Sequence, residues 1–256
     1  MMFSLDNVSF CIKDKIILHP LSLEIEKGKF TTFLGHNGCG KSTLVKLLSK
    51  QNRPTNGTVY LQSKPIEQTT PKEFAQSVAY LPQHPPVTEG ITVKELVEFG
   101  RYPWKGVMGR YTAEDHHFVN EAILKVGLDN MKNRFVSTLS GGERQRAWVA
   151  MLLAQQSECI VLDEPTSALD VAHQFELLKL IRQLNCELGL TVVTVLHDIN
   201  MASRFSDTLI ALHSGKLLFK GSSTEMMETS VLESVYGVKL GLFEHPLSGQ
   251  PISFVL

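Results

Sequence analysis

An apolar stretch, Phe30 to Leu34, runs into Gly35-His36-Asn37-Gly38-Cys39-Gly40-Lys41-Ser42-Thr43, after which Leu44, Leu47 and Leu48 fall at helical spacing. No other feature of the chain constrains its fold so tightly. The first eight residues of that string, Gly35 to Ser42, fit the pattern of a glycine, four residues of any kind, then Gly-Lys-Ser. The glycines let the backbone curl until successive N–H groups point inward, which makes an anion nest at the start of a helix. Lys41 is placed to reach the outer phosphates of a nucleoside triphosphate, and Ser42 to offer its hydroxyl to Mg²⁺. An ordinary glycine-rich turn is the competing reading, and the complete motif between a strand and a helix disfavours it.

Around this unit the chain alternates. Leu5, Val8 and Phe10, then Ile16 to Leu18, then Leu21 to Ile25 read as β-structure, and Val59 to Leu61 as a further strand. From about Pro85 to Leu139 the pattern is helical. Val93, Leu96 and Val97, then Phe118, Ala122, Leu124 and Val126, supply apolar faces, and Tyr102 to Gly106 interrupts them. A helix after Ser140, the apolar strand Cys159 to Leu162, a helix with Val171, Phe175, Leu178 and Ile181 on one face ending near Gly189, and the strand Thr191 to Leu196 follow. Alternating strands and helices predict a largely parallel sheet. With 256 residues, the expected organisation is one α/β domain, with residues 1–84 and 140–256 as its core and 85–139 as an inserted helical subdomain. A short hairpin-like segment around Ser214-Gly215-Lys216 and a helical tail are expected near the C-terminus.

A net charge of −1 argues against a general nucleic-acid binder. Cys11, Cys39, Cys159 and Cys186 lack CxxC spacing and read as reduced thiols. The first residues show no secretory signal, and no apolar run reaches the ~20 residues of a membrane span. A link to a membrane is therefore expected to run through a partner.

Two further strings carry chemistry. Asp163 and Glu164 end the strand Cys159 to Leu162, on the sheet edge where the phosphate loop also lies. Asp163 is expected to hold Mg²⁺, and Glu164 to orient and polarise an attacking water. The second string, Leu139-Ser140-Gly141-Gly142-Glu143-Arg144-Gln145-Arg146, contains a capping box, Ser140 with Glu143, and two glycines that expose the next helix's N–H groups. It reads either as a well-capped helix start or as a second anion site.

With these residues in this order, the chain resembles the nucleotide-binding domain of ABC transporters over nearly its whole length. The resemblance implies a P-loop NTPase core with a mostly parallel sheet, an N-terminal antiparallel β subdomain and an inserted helical subdomain. Leu139 to Arg146 resembles the signature motif, Gln83 in Tyr80-Leu81-Pro82-Gln83 the Q-loop glutamine, Ser167-Ala168-Leu169-Asp170 the D-loop, and His197 the switch histidine. The cofactors implied are ATP and Mg²⁺. The nucleotide set is Gly35, His36, Asn37, Gly38, Cys39, Gly40, Lys41, Ser42, Thr43, Ser140, Gly141, Gly142 and Asp170. The catalytic set is Glu164, His197 and Gln83, and the metal set Ser42, Gln83 and Asp163. Two copies are expected head to tail, with Ser140 and Gly142 of one closing on the γ-phosphate held by Lys41 of the other. Where the family usually stacks an aromatic ring on adenine, this chain offers Ile12, with Phe10 expected on the same strand face.

More narrowly, Gly100-Arg101-Tyr102-Pro103-Trp104, Gly35-His36-Asn37-Gly38, the string His197-Asp198-Ile199-Asn200-Met201-Ala202 and the ending Ile252-Ser253-Phe254 resemble the ATPases of ferric hydroxamate siderophore importers. That implies a peripheral protein on the cytoplasmic face of the cell (inner) membrane. Its implied partners are a second copy of itself, integral membrane permease subunits and, indirectly, a periplasmic or lipid-anchored siderophore-binding protein, with no nucleic acid. Importers of haem, vitamin B12 or other ferric siderophores, a soluble iron–sulfur assembly ATPase and a catalytically silent module are the alternatives. Lys41, Ser42, Asp163, Glu164 and His197 argue against silence.

Overall fold

The computed structural model describes residues 1–86, 89–106, 109–246 and 249–256. In chain order come β1 (Phe3–Ile12), β2 (Lys15–Ile25), β3 (Phe30–Leu34), α1 (Lys41–Leu48), β4 (Asn56–Leu61), β5 (Lys64–Pro65), α2 (Pro71–Ser77) and β6 (Val78–Leu81). Four helices follow: α3 (Val93–Phe99), α4 (Tyr102–Lys105), α5 (Ala113–Lys125) and α6 (Gly141–Ala154). The chain then returns to alternation with β7 (Cys159–Leu162), α7 (Val171–Leu188), β8 (Thr191–Val195), α8 (Ile199–Phe205), β9 (Thr208–His213) and β10 (Lys216–Gly221). Helices α9 (Ser223–Met226) and α10 (Thr229–Tyr236) lead to β11 (Leu240–Glu244) and β12 (Pro251–Val255).

Strands β3, β7 and β8 are buried at every residue, the pattern of strands covered on both faces. They lie inside a six-stranded sheet of order β10-β9-β3-β8-β7-β6, parallel except for the β9–β10 hairpin. Alternate residues feed two cores. Phe30, Leu34, Ile160, Leu162 and Val192 pack on the side of α3, α5, α6, α7 and α8. Phe33, Val161, Val193 and Val195 pack toward α1 and a second, antiparallel sheet of order β2-β1-β4-β5. Gly189 closes α7 in the left-handed conformation, the usual glycine stop. Among the described residues no helix is long and apolar enough to cross a membrane.

Several sequence expectations are corrected. Ile16 to Leu18 and Leu21 to Ile25 belong to one edge strand, β2, which carries the exposed Pro20; an edge tolerates the missing donor. Tyr102 to Lys105, which separates α3 from α5 as expected, is itself a helical turn. Leu124 (66% exposed) and Val171 (72%) lie in solvent. The tail is not purely helical, because β11 and β12 pair as an antiparallel hairpin.

The Gly100 to Trp104 string joins the helical layer to the core. Arg101 is buried, its Nε donating to Asp115 Oδ1 at 2.7 Å and its Nη1 to the Ala154 carbonyl at 2.9 Å. Its guanidinium lies over the rings of Phe118 and Trp104, and Trp104 Nε1 donates to the Gln155 carbonyl at 2.6 Å.

A second ion pair ties α7 to the sheet. Arg182 grips Asp207 with two bonds of 2.7 and 2.8 Å, and the same carboxylate accepts the Phe30 N–H at 2.8 Å. Burial acts to raise the Asp207 pKa, but the Arg182 and Phe30 donors outweigh it and hold the carboxyl below its ordinary value. A depressed carboxylate contributes stability above its unfolded pKa of ~3.9 and loses it as pH falls through the folded value. Asp207→Asn is expected to lower stability at pH 7 by about 2 kcal/mol. The gap from wild type should narrow as pH falls below ~3.9, as read by urea denaturation at pH 7 and at a series of lower pH values.

Candidate functional site

Parallel register brings four strand ends to one edge. Leu81 pairs with Leu162, Leu162 with Thr194, and Phe33 with Val195. The residues just beyond those ends, Gly35 to Ser42, Gln83, Asp163-Glu164 and His197, therefore share one surface, the usual ligand position in such sheets.

The phosphate loop is held by close approaches. Gly35 has φ 132°, and a Cβ there would lie 2.1 Å from the Leu212 carbonyl oxygen, so no other residue fits. Lys41, 4% exposed, donates from Nζ to the carbonyls of Gly35 (2.7 Å) and His36 (2.9 Å), and Cys39 Sγ lies 3.8 Å away. His36, Asn37 and Gly38 are exposed at the crest, while Cys39 and Gly40 are buried beneath it. Helix α1 follows Gly40, an N-cap with no side chain to close it, whereas α3, α5 and α6 each carry a complete capping box. Its first-turn N–H groups, at Ser42 and Thr43 among others, have no intrahelical acceptors and carry the positive end of the helix dipole. That is an anion site built from backbone.

The carboxylates stand beside it. Asp163 is buried, and Ser42 Oγ donates to its Oδ1 at 3.2 Å. Burial first, and the neighbouring Glu164 charge as well, push the Asp163 pKa up against the Ser42 bond. Among the described residues no group of three or more His, Cys, Asp or Glu could hold a metal ion. A hydroxyl plus one carboxylate instead suits a hard cation whose coordination is completed by substrate phosphate oxygens and water. The donor set fits Mg²⁺.

Glu164 takes up φ 52°, a left-handed conformation unusual for a side-chain-bearing residue. Its carbonyl accepts the Ser167 N–H (3.3 Å) and hydroxyl (3.1 Å), which fixes the turn. Its carboxylate collects two of the predicted residues. Gln83 Nε2 donates to Oε2 at 2.6 Å, and His197 Nε2 stands 2.9 Å from the same oxygen. Gln83, expected as both a catalytic and a metal residue, thus meets the carboxylate of Glu164.

The signature string forms the capping box its sequence predicts. Ser140 Oγ accepts the Glu143 N–H at 3.3 Å, and Ser140 N–H donates to Glu143 Oε2 at 2.8 Å. These bonds lower the Glu143 pKa. Gly141 is exposed at the tip. Asp170 caps α7 through the His173 N–H (2.9 Å) and lies 2.8 Å from His173 Nδ1. The His173 ring fills the space a Cβ on Gly142 would need, approaching it to 2.6 Å. D-loop and signature are therefore neighbours within one chain, joined by a histidine that no motif points to.

The hairpin expected around Ser214-Gly215-Lys216 forms as the β9–β10 turn, and it reaches the phosphate loop. Gly215 N–H donates to the Cys39 carbonyl (3.0 Å), Ser214 N–H to His36 Nε2 (3.4 Å), and the rings of His36 and His213 meet edge-on with centroids 4.8 Å apart. The turn buttresses the phosphate loop. The Ser214-Gly215 turn signal was legible; its target was not. For the base, the expected common face of Phe10 and Ile12 is corrected. Phe10 packs against the core, a register shift falls between it and Cys11, and Ile12 is 55% exposed.

Residues 18–167 match the ABC transporter family model. The chain is 42% identical to the iron(3+)-hydroxamate import ATP-binding protein FhuC of Bacillus subtilis (strain 168), over 93% of its own length and 89% of that protein's. It is also 42% identical to the ferric enterobactin transport ATP-binding protein FepC of Escherichia coli (strain K12), over 92% and 87%. Among solved structures, a metal-chelate type ABC transporter in an inward-facing conformation superposes with TM-score 0.86 at 25% identity, covering 100% of this chain and 96% of that one. A dimeric ATP-binding cassette in a post-hydrolysis state, bound to ADP and phosphate, superposes with TM-score 0.74 at 29% identity, over 87% and 99%.

Proposed function

The chain belongs to the ABC transporter family, and from that premise we propose that it is the ATP-hydrolysing subunit of an importer of iron(III)-siderophore, of the ferric hydroxamate type. The observation that carries the hydrolytic part is the meeting of Gln83, Glu164 and His197 at one carboxylate oxygen beside the phosphate loop.

The phosphates of ATP enter the nest of residues 35–43. Lys41 exchanges its two loop carbonyls for phosphate oxygens, and the uncapped start of α1 meets their charge with backbone N–H groups. Ser42, Asp163 and Gln83 would hold Mg²⁺, which when bound neutralises charge on the phosphate oxygens. With Oε2 of Glu164 occupied by Gln83 and His197, Oε1 is the oxygen left to take a proton from the attacking water. His197 stands against the same oxygen and fixes where the carboxylate points. The buried Asp163 stays beside Ser42.

The second half of the site comes from a second copy. Ser140, Gly141 and Gly142 of the partner close on the γ-phosphate, and Asp170 faces across the two-fold axis. Because that phosphate touches both chains only when they are closed, its release removes the differential contact that held them together. The dimer works against membrane permease subunits at the cytoplasmic face of the membrane, and a periplasmic or lipid-anchored binding protein delivers the cargo.

No group of the site meets the cargo, so the cargo is tested in cells. Loss of this chain is expected to abolish uptake of radiolabelled iron from ferrichrome. Wild type should restore it and Lys41→Ala should not. Normal ferrichrome uptake, with loss of a catecholate complex instead, would move the assignment to another siderophore class.

A further inference from the structure

Asn200 and Ser253 take no part in the chemistry above, yet they meet from 53 positions apart. Asn200 Nδ2 donates to the Ser253 carbonyl at 3.1 Å, Ser253 N–H donates back to Asn200 Oδ1 at 2.8 Å, and the Ser253 hydroxyl adds a bond of 3.1 Å to the same Oδ1. The side-chain amide pairs with the N–H and C=O of one residue of β12, as a neighbouring strand would. Ser253 is buried, as is Leu240 at the start of the partnering strand β11, so the hairpin offering those groups is itself anchored.

What this holds is the element behind His197. Helix α8 has seven residues, too few to be stable through its own hydrogen bonds, so its placement comes from what touches it. Ile199, Ala202 and Phe205 face the main core. On another side, Asn200 is fastened to the hairpin. Asp198 caps the helix by accepting the Met201 N–H at 2.8 Å, and His197 directly precedes that cap. The His197 side chain is 45% exposed and stands against Glu164, so little packing fixes its ring and its backbone must.

We infer that Asn200 is a positioning residue for ATP hydrolysis: clamped by Ser253 of the C-terminal hairpin, it fixes the first turn of α8 and so keeps His197 against Glu164. The inference rests on the reading above in which His197 acts at Glu164. It makes the hairpin part of the hydrolytic apparatus.

The test is steady-state ATP hydrolysis by the full chain, comparing wild type, Asn200→Ala and Asn200→Asp across ATP concentration. Asn200→Ala is expected to lower kcat about tenfold with KM within about twofold, because the nucleotide-binding groups stay in place. Asn200→Asp keeps acceptors for the Ser253 N–H and hydroxyl but loses the donation to its carbonyl, so its kcat should fall by less, again at constant KM. Thermal melting shows whether each variant folds, and if the alanine variant does not, the aspartate variant decides alone. Unchanged kcat in a folded variant, or a loss carried by KM, overturns the inference and leaves the hydrolytic reading intact. Failure of the wild type to hydrolyse ATP overturns that reading itself.

Discussion

Glu164→Gln is expected to cut ATP hydrolysis about 10³-fold, near 4 kcal/mol of barrier, while ATP stays bound. Glutamine has the same shape and leaves the turn held by Ser167 in place. Its amide oxygen still accepts from Gln83, and His197 can stay beside it. What disappears is the ability to take a proton from water. Losing that charge also relieves Asp163, whose pKa is raised partly by Glu164, and reduces repulsion of the γ-phosphate. The variant should therefore hold ATP at least as well as wild type and accumulate as a closed dimer, seen as an earlier gel-filtration peak in Mg²⁺ and ATP. Hydrolysis near the wild-type rate would place the base elsewhere.

The parts legible in the sequence are those whose physics is local. Gly35 to Ser42 encode their own backbone geometry, and the buried strands announce themselves as short apolar runs. Ser140 and Glu143 predict a capping box from spacing alone, and it forms. Periodicity failed where it outran the contact it serves. Leu124 and Val171 sit near helix ends, where the helical pattern continues but the core does not. Alternation failed at Phe10 and Ile12 because the register shifts between Phe10 and Cys11. The β11–β12 hairpin was hidden because part of its purpose is distant, in the bonds between Ser253 and Asn200. His173, and the target of the Ser214-Gly215 turn, escaped for the same reason: each supports a loop far from it in sequence. Gln83 and His197 were found only through resemblance, since a lone glutamine or histidine after a strand says little. Their meeting at one carboxylate oxygen is what the fold adds.

Ser140→Arg tests whether the second anion site works in trans, and its expected effect is the other large one. Arginine removes the hydroxyl that caps Glu143, at a cost of about 1 kcal/mol to α6. It also sets a long cation at the positive end of a helix, where an anion belongs. The phosphate nest is built from β3, the loop and α1, with the β9–β10 turn behind it, and none of these contains Ser140. Each monomer should therefore bind ATP with affinity within about threefold of wild type, while hydrolysis falls by about 10² or more through loss of the partner's grip on the γ-phosphate. A mixture sharpens the test. Lys41→Ala is inactive for the opposite reason, and a heterodimer of the two contains one site with Lys41 from one chain and Ser140 from the other, both intact. In an equal mixture half the dimers are mixed and each carries one good site of two, so about a quarter of wild-type activity should return. If the mixture stays as inactive as its components, and Ser140→Arg has lost ATP affinity as a monomer, the signature helix serves its own chain, and ATP does not hold two copies together.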